Sequence, residues 1–115
     1  MKKAARLKSK SEFDTVFSEG RAWANNFVVL RAVPNSVGVN RYGIVAGRRL
    51  GNAVVRNKAK RRLRAMVSSI AVREGWDVVL VARKAAVETD YHTLERAAQD
   101  LFARARLLGE DERAE

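Results

Sequence analysis

Apolar positions recur along the chain with two periods, and the switches between those periods mark the elements. Phe13, Val16 and Phe17 stand at i, i+3 and i+4, the spacing of one helical face. Ser9-Lys10-Ser11-Glu12 ahead of them has the form of a capping box, in which Ser9 and Glu12 satisfy early helix donors. A short helix is predicted to about Ser18, with Gly20 as its stop. From Trp23 to Val33 the period is two: Phe27, Val29 and Arg31 fall on one face, and Val28, Leu30 and Ala32 on the other. Pro34-Asn35-Ser36 opens a turn region that runs to about Asn40. A second strand, Tyr42 to Gly47, is expected to return antiparallel to the first as a hairpin. Its glycines, Gly43 and Gly47, either permit close approach of another backbone or mark a bulge.

The helical period then returns. Val55, Ala59, Leu63, Met66 and Ile70 make one apolar stripe, with Asn52 as N-cap, and the helix is predicted to reach about Arg73 before Gly75. Trp76 to Ala82 is a buried-looking strand, and a strand-helix-strand order lets it pair in parallel with an earlier one. Arg83 to Glu88 reads as a loop, and Thr89 or Asp90 caps a last helix. Tyr91, Leu94, Ala98, Leu101, Ala105 and Leu108 keep helical spacing and should pack on the sheet, with Gly109 as the stop. Residues 1–8 are a basic, mobile lead-in and 110–115 a short acidic, disordered tail. The pattern is α+β in the order α-β-β-α-β-α, a single domain over residues 1–115 with no repeat or linker.

Charge changes the picture. The net charge is +10, which makes a polyanion the leading partner. From Arg21 to Arg73 there are twelve basic residues and no Asp or Glu. Solvated helices normally interleave both signs, so a merely solubilising role fits this segment poorly. On the long helix Arg56, Lys60 and Arg64 form a stripe beside the apolar one, Asn57 and Arg61 form the next, and Lys58 and Arg62 flank the apolar face from its other side. A DNA-reading helix is the other option, but strand-like segments before and after it leave no helix-turn-helix. The Phe13/Phe17 pair is either core or a stacking platform for unpaired bases.

Catalytic chemistry is sparse. The lone histidine, His92, has no second histidine for an acid-base pair, and the basic segment has no carboxylate to hold a metal. Cysteine is absent, so disulfides and thiolate metal sites are excluded. No apolar run approaches the roughly 20 residues that span a bilayer, and the N-terminus lacks the apolar core of a signal peptide, so no membrane is involved and a cytoplasmic protein is expected.

The stretch GNAVVRNKAKRRLR, Gly51 to Arg64, resembles the signature of the protein subunit of bacterial ribonuclease P. RLKSKSEFDTVFSEGR resembles that family's first helix, ANNFVVL its first strand, and WDVVLVARKAA with the Tyr-containing helix after it the last strand and helix, so the likeness runs nearly end to end. The resemblance implies an α/β sandwich with a left-handed β-α-β crossover, like the second domain of ribosomal protein S5. It implies an RNA-binding, non-catalytic subunit of an endonuclease whose partner, the catalytic RNA subunit, removes the 5′ leader of precursor tRNA with magnesium, which is bound mainly by RNA. No catalytic residue is expected in the protein, and no DNA partner. By the family motif, Arg48, Arg49, Asn52, Arg56, Asn57, Lys58, Lys60, Arg61 and Arg64 would contact the catalytic RNA. Phe13, Phe17, Val29 and Arg31 would contact the single-stranded leader. Lys58 stands where the motif usually has Arg, keeping charge without planar bidentate geometry. Arg31 stands where relatives often carry an aromatic, which exchanges stacking for a phosphate or cation–π contact. A structural RNA-binding protein without processing activity, ribosomal or other, and a DNA-binding regulator are the alternatives.

Overall fold

The computed structural model describes residues 5–109, so the expectations for residues 1–4 and for the acidic tail, 110–115, lie outside the described residues. Five strands form one sheet: β1 (Ala5–Arg6), β2 (Arg21–Ala24), β3 (Val28–Pro34), β4 (Arg41–Val45) and β5 (Trp76–Ala82). The spatial order is β1-β4-β5-β3-β2. Helix α1 (Lys10–Glu19) lies on one face. Helices α2 (Ala53–Ser69), α3 (Lys84–Glu88) and α4 (Tyr91–Arg104) pack on the other. The mixed α+β fold expected from the sequence is present, with a richer strand set.

β5 explains the centre of the sheet. Val78, Val79 and Leu80 are all fully buried because both faces of this strand are covered. It pairs antiparallel with β3 and parallel with β4. The expected hairpin between the first two strands is therefore corrected: β5 is inserted between β3 and β4. The turn residues carry the chain across the start of β5. The Asn35 amide donates to the Gly75 carbonyl at 2.7 Å, and the Trp76 amide donates to Asn40 Oδ1 at 2.9 Å.

The single strand expected from Trp23 to Val33 is two strands, β2 and β3, paired antiparallel with Trp23 opposite Leu30. Asn25 makes the fold-back: its Oδ1 accepts from the Phe27 and Val28 amides, both at 3.0 Å, and its Nδ2 donates to the Ala97 carbonyl on α4 at 3.0 Å. The lead-in is corrected for residues 5–8. Ala5 and Arg6 pair in parallel with Arg41 and Tyr42, and Leu7 is buried against Val16 and Val79.

α1 starts as predicted. Ser9 Oγ accepts from the Glu12 amide at 3.1 Å, and Glu12 Oε1 accepts from the amides of Ser9 at 3.2 Å and Lys8 at 2.6 Å. α2 starts at Asn52, whose Oδ1 accepts from the Val55 amide at 3.0 Å. It buries Ala59, Leu63, Met66 and Val67, and it ends at Ser69 rather than Arg73. Beyond it the chain is extended: Val72 bridges Leu108, and the Gly109 amide reaches the Ala71 carbonyl at 2.7 Å. The loop expected over 83–88 contains α3, which docks through the fully buried Ala86. α4, capped by Asp90, ends at Arg104 rather than Gly109. Leu107, which falls off the predicted stripe, is fully buried, whereas Tyr91 on that stripe is exposed.

Candidate nucleic-acid interface

The basic side chains are set out by three successive devices. A 3-10 turn, Arg48–Leu50, follows β4 and exposes Arg48 and Arg49 while Leu50 packs inward. Gly51 then turns the chain with φ 143°, a conformation L side chains rarely adopt, and a Cβ there would crowd Val55 at 3.2 Å. Asn52 caps α2, so its Oδ1 is committed to the Val55 amide and its Nδ2 points to no protein partner in the described residues. From the cap onward the helix buries one side on the sheet and turns the other outward. Asn57, Lys58, Arg61 and Arg64 are exposed, and Arg56 and Lys60 are half-buried.

These cations are uncompensated. Among the described residues, no carboxylate lies within ion-pair distance of Arg48, Arg49, Arg56, Lys58, Lys60, Arg61 or Arg64. Arg56 goes further: its Nε is buried and has no hydrogen-bond partner. A buried donor left unmade costs about 1–3 kcal/mol. An unmet donor at Nε suits a group whose partner arrives from outside. Arg62 is different. It donates to the Thr89 carbonyl at 3.0 Å and stands over the Tyr91 ring at 6.0 Å, tying α2 to the start of α4. Sequence spacing placed it at the flank of the apolar face, and its task here is structural.

The second group of residues sits on the opposite face, under and beside α1. The face is laid out by register: Val29 opposite Val81 opposite Val45, and Arg31 opposite Val79 opposite Gly43. α1 covers part of it, and the two phenylalanines divide. Phe13 packs inward with Leu7, Val16 and Val79. Phe17 is 41% exposed. Arg31 stands over the Phe17 ring at 5.3 Å and donates from Nη1 to the Phe17 carbonyl at 3.2 Å. The Phe17–Arg31 pair, with half-buried Val29, Val45 and Val81 beside it, forms an open trough with an aromatic wall and a cationic rim. Of the core and stacking readings, Phe13 takes the first and Phe17 is positioned for the second.

Gly43 admits a close approach, but by the Phe13 ring and not by another backbone, and Gly47 has open space around it. A methyl group at Gly43 would collide with the Phe13 ring. Gly43→Ala is therefore expected to cost about 1–3 kcal/mol in urea unfolding, the usual range for overpacking. It should also shift the Phe13 ring resonances in NMR spectra.

A polar network invisible to sequence reasoning holds this face together. Arg41 donates from Nε to Asp77 Oδ1 at 2.8 Å, from Nη2 to Asp77 Oδ2 at 2.7 Å, and from Nη1 to Glu12 Oε2 at 3.0 Å. Asn35 Nδ2 adds a bond to Asp77 Oδ1 at 2.8 Å. The amides of Lys8 and Ser9, aided by Arg41, hold the Glu12 carboxyl below its usual range. The two surfaces meet at one end of the sheet, because Arg48 and Arg49 follow Val45 in the chain. Among the described residues no group of three His, Asp or Glu gathers as a metal-ligand set.

Known proteins share this sequence pattern and this fold. The family model described as Ribonuclease P matches residues 1–106. The chain is 45% identical over 111 residues to the "Ribonuclease P protein component" of Symbiobacterium thermophilum, covering 94% of this chain and 96% of that one. Its fold superposes on the RNase P protein of Staphylococcus aureus with a TM-score of 0.82 at 27% identity, covering 93% of this chain and all of that one. The RNase P protein from Thermotoga maritima gives 0.79 at 30% identity, covering 86% and 96%.

Proposed function

The chain belongs to the ribonuclease P protein family, and from that premise we propose how its two surfaces serve the enzyme. It is the RNA-binding, non-catalytic subunit of an endoribonuclease that matures the 5′ end of tRNA. Its partners are the catalytic RNA and precursor tRNA. In our reading, Arg48, Arg49, Asn52 and the outward residues of α2 (Arg56, Asn57, Lys58, Lys60, Arg61 and Arg64) take phosphates of the catalytic RNA. The trough of Phe17, Arg31 and Val29, supported from below by Phe13, takes the single-stranded leader. One observation carries the first assignment: none of the cations from Arg48 to Arg64 has a carboxylate within ion-pair distance among the described residues. The exposed ring of Phe17 beneath a guanidinium carries the second, since it can stack on any base and meet the adjoining phosphate.

Magnesium belongs with the RNA in this scheme. The side chains at the interface are cations and two amides, with no carboxylate among them to anchor a hard cation, so they suit phosphates better than a metal. Held by the RNA, magnesium would supply Lewis-acid activation of water for the cleavage. Among the described residues no helix is long and apolar enough to cross a membrane, and we place the protein in the cytoplasm beside its RNA.

Reconstitution tests the function. Cleavage of precursor tRNA by the catalytic RNA at low magnesium should rise several-fold when the protein is added, and the protein alone should leave the precursor intact. Unchanged cleavage on addition would count against the assignment, and cleavage by protein alone would contradict the division of labour.

A further inference from the structure

On the α2 face, where the edge of the sheet meets the helix, lies a cavity of about 150 Å³ lined by Ala5, Arg6, Tyr42, Ile44, Arg64, Val67 and Ser68. Its position follows from the register. β1 runs beside β4 with Arg6 opposite Tyr42, held by the Ala5 amide on the Asn40 carbonyl at 2.8 Å and the Leu7 amide on the Tyr42 carbonyl at 2.9 Å. Because Leu7 points to the α1 face, alternation sends Arg6 to the α2 face. Arg64 is presented from α2, two turns beyond Arg56. Ile44 and Val67 are buried, while Arg6, Arg64 and Ser68 are exposed. The walls are mainly apolar and two guanidinium groups stand at the mouth.

Neither the Arg6 nor the Arg64 side chain has an ion pair or hydrogen bond among the described residues. Burial pushes the Tyr42 phenol up to about 12, so the ring stays neutral beside an anion. A cavity of about 150 Å³ accommodates a single aromatic ring and nothing of drug size. An apolar slot for one ring below a doubly cationic mouth is complementary to one nucleotide: a base for the slot, a phosphate for the guanidinium groups.

We infer that this cavity seats one unpaired nucleotide of the catalytic RNA, with its base against Tyr42 and Ile44 and its phosphate between Arg6 and Arg64. The inference rests on the proposed RNA-binding role of α2 and extends it to a site that includes β1. The catalytic RNA is the occupant because the cavity continues the Arg56-Lys60-Arg64 stripe, on the face away from the Phe17 trough.

The test compares affinities for the catalytic RNA by filter binding. Ser68→Trp, at the rim, fills the cavity without removing a cation. It should weaken binding by about tenfold, the low end of what seating one base is worth. Arg6→Ala should weaken it similarly, and combining the two should lose little more than either alone. Parent-like binding by both variants, or full multiplication of the two losses, overturns the inference. Arg56→Ala with Arg61→Ala is run in parallel: parent-like binding there refutes the α2 assignment, whereas its loss with intact binding by the cavity variants refutes the cavity alone. A probe that needs no variant is adenosine 5′-monophosphate added to the parent protein. It should shift the amide resonances of Tyr42, Ile44 and Val67. The same shifts with orthophosphate alone, or none with either, refute base seating.

Discussion

Replacing Arg56 and Arg61 together with alanine is expected to weaken binding of the catalytic RNA by about a hundredfold at moderate salt. A hydrogen bond to a charged group is worth about 1.5–3 kcal/mol, and each 1.4 kcal/mol is about tenfold, so two lost contacts account for that factor. Salt dependence supplies a second signature. Each phosphate contact contributes about 0.7–0.9 to the slope of log affinity against log salt, so the double variant's plot should be flatter by about 1.5. Stability should stay near the parent's. Arg61 is exposed, and the Arg56 side chain makes no hydrogen bond within the described protein while leaving a buried Nε unsatisfied. Alanine is also the better helix former. Filter binding across a potassium chloride series, with thermal unfolding followed by circular dichroism, measures both. Binding as tight as the parent's would remove α2 from the interface.

Those residues were legible in the sequence because they belong to a helix. A period of 3.6 separates faces unambiguously, so Ala59, Leu63 and Met66 identified the buried side and Arg56, Lys60 and Arg64 the neighbouring stripe. The Ser9 and Asn52 caps were equally readable, since capping is local chemistry. The sheet was not. Strand pairing is decided by residues far apart in the chain, and nothing between Tyr42 and Gly47 states whether its neighbour is β3 or β5. The fold-back at Asn25 did leave a signal, the Asn25-Asn26 pair within a run of apolar alternation, but the strand pattern masked it. Helix ends were overestimated for the same reason in both long helices. Ile70 and Leu108 keep the helical spacing while sitting in extended segments that bridge each other at Val72 and Leu108. The cavity at Arg6 was illegible throughout, because it needs β1 to pair with β4 across 36 positions of sequence.

Asp77→Ala is expected to cost the fold about 3–5 kcal/mol, the range for removing one partner of a buried ion pair. Asp77 is 4% exposed and accepts three side-chain bonds, two from Arg41 and one from Asn35. Without it the Arg41 guanidinium, on a side chain only 22% exposed, faces a vacancy left by two charge-assisted bonds. A loss of that size is a large share of the stability of any domain this small. Arg41→Ala with Asp77→Ala should cost less than the two single losses added together, because each single change already removes the interaction between the two. Urea unfolding of the four proteins closes that cycle. The same network separates the two surfaces. Arg41 also holds Glu12 at the first turn of α1, so Arg41→Ala should loosen the helix that carries Phe13 and Phe17. α2 has no part in that link. Affinity for a short single-stranded leader, measured by fluorescence anisotropy, should fall for Arg41→Ala while affinity for the catalytic RNA holds near the parent's. Equal losses in both would mean that the faces of the sheet do not act independently, and that the division between trough and basic helix is wrong.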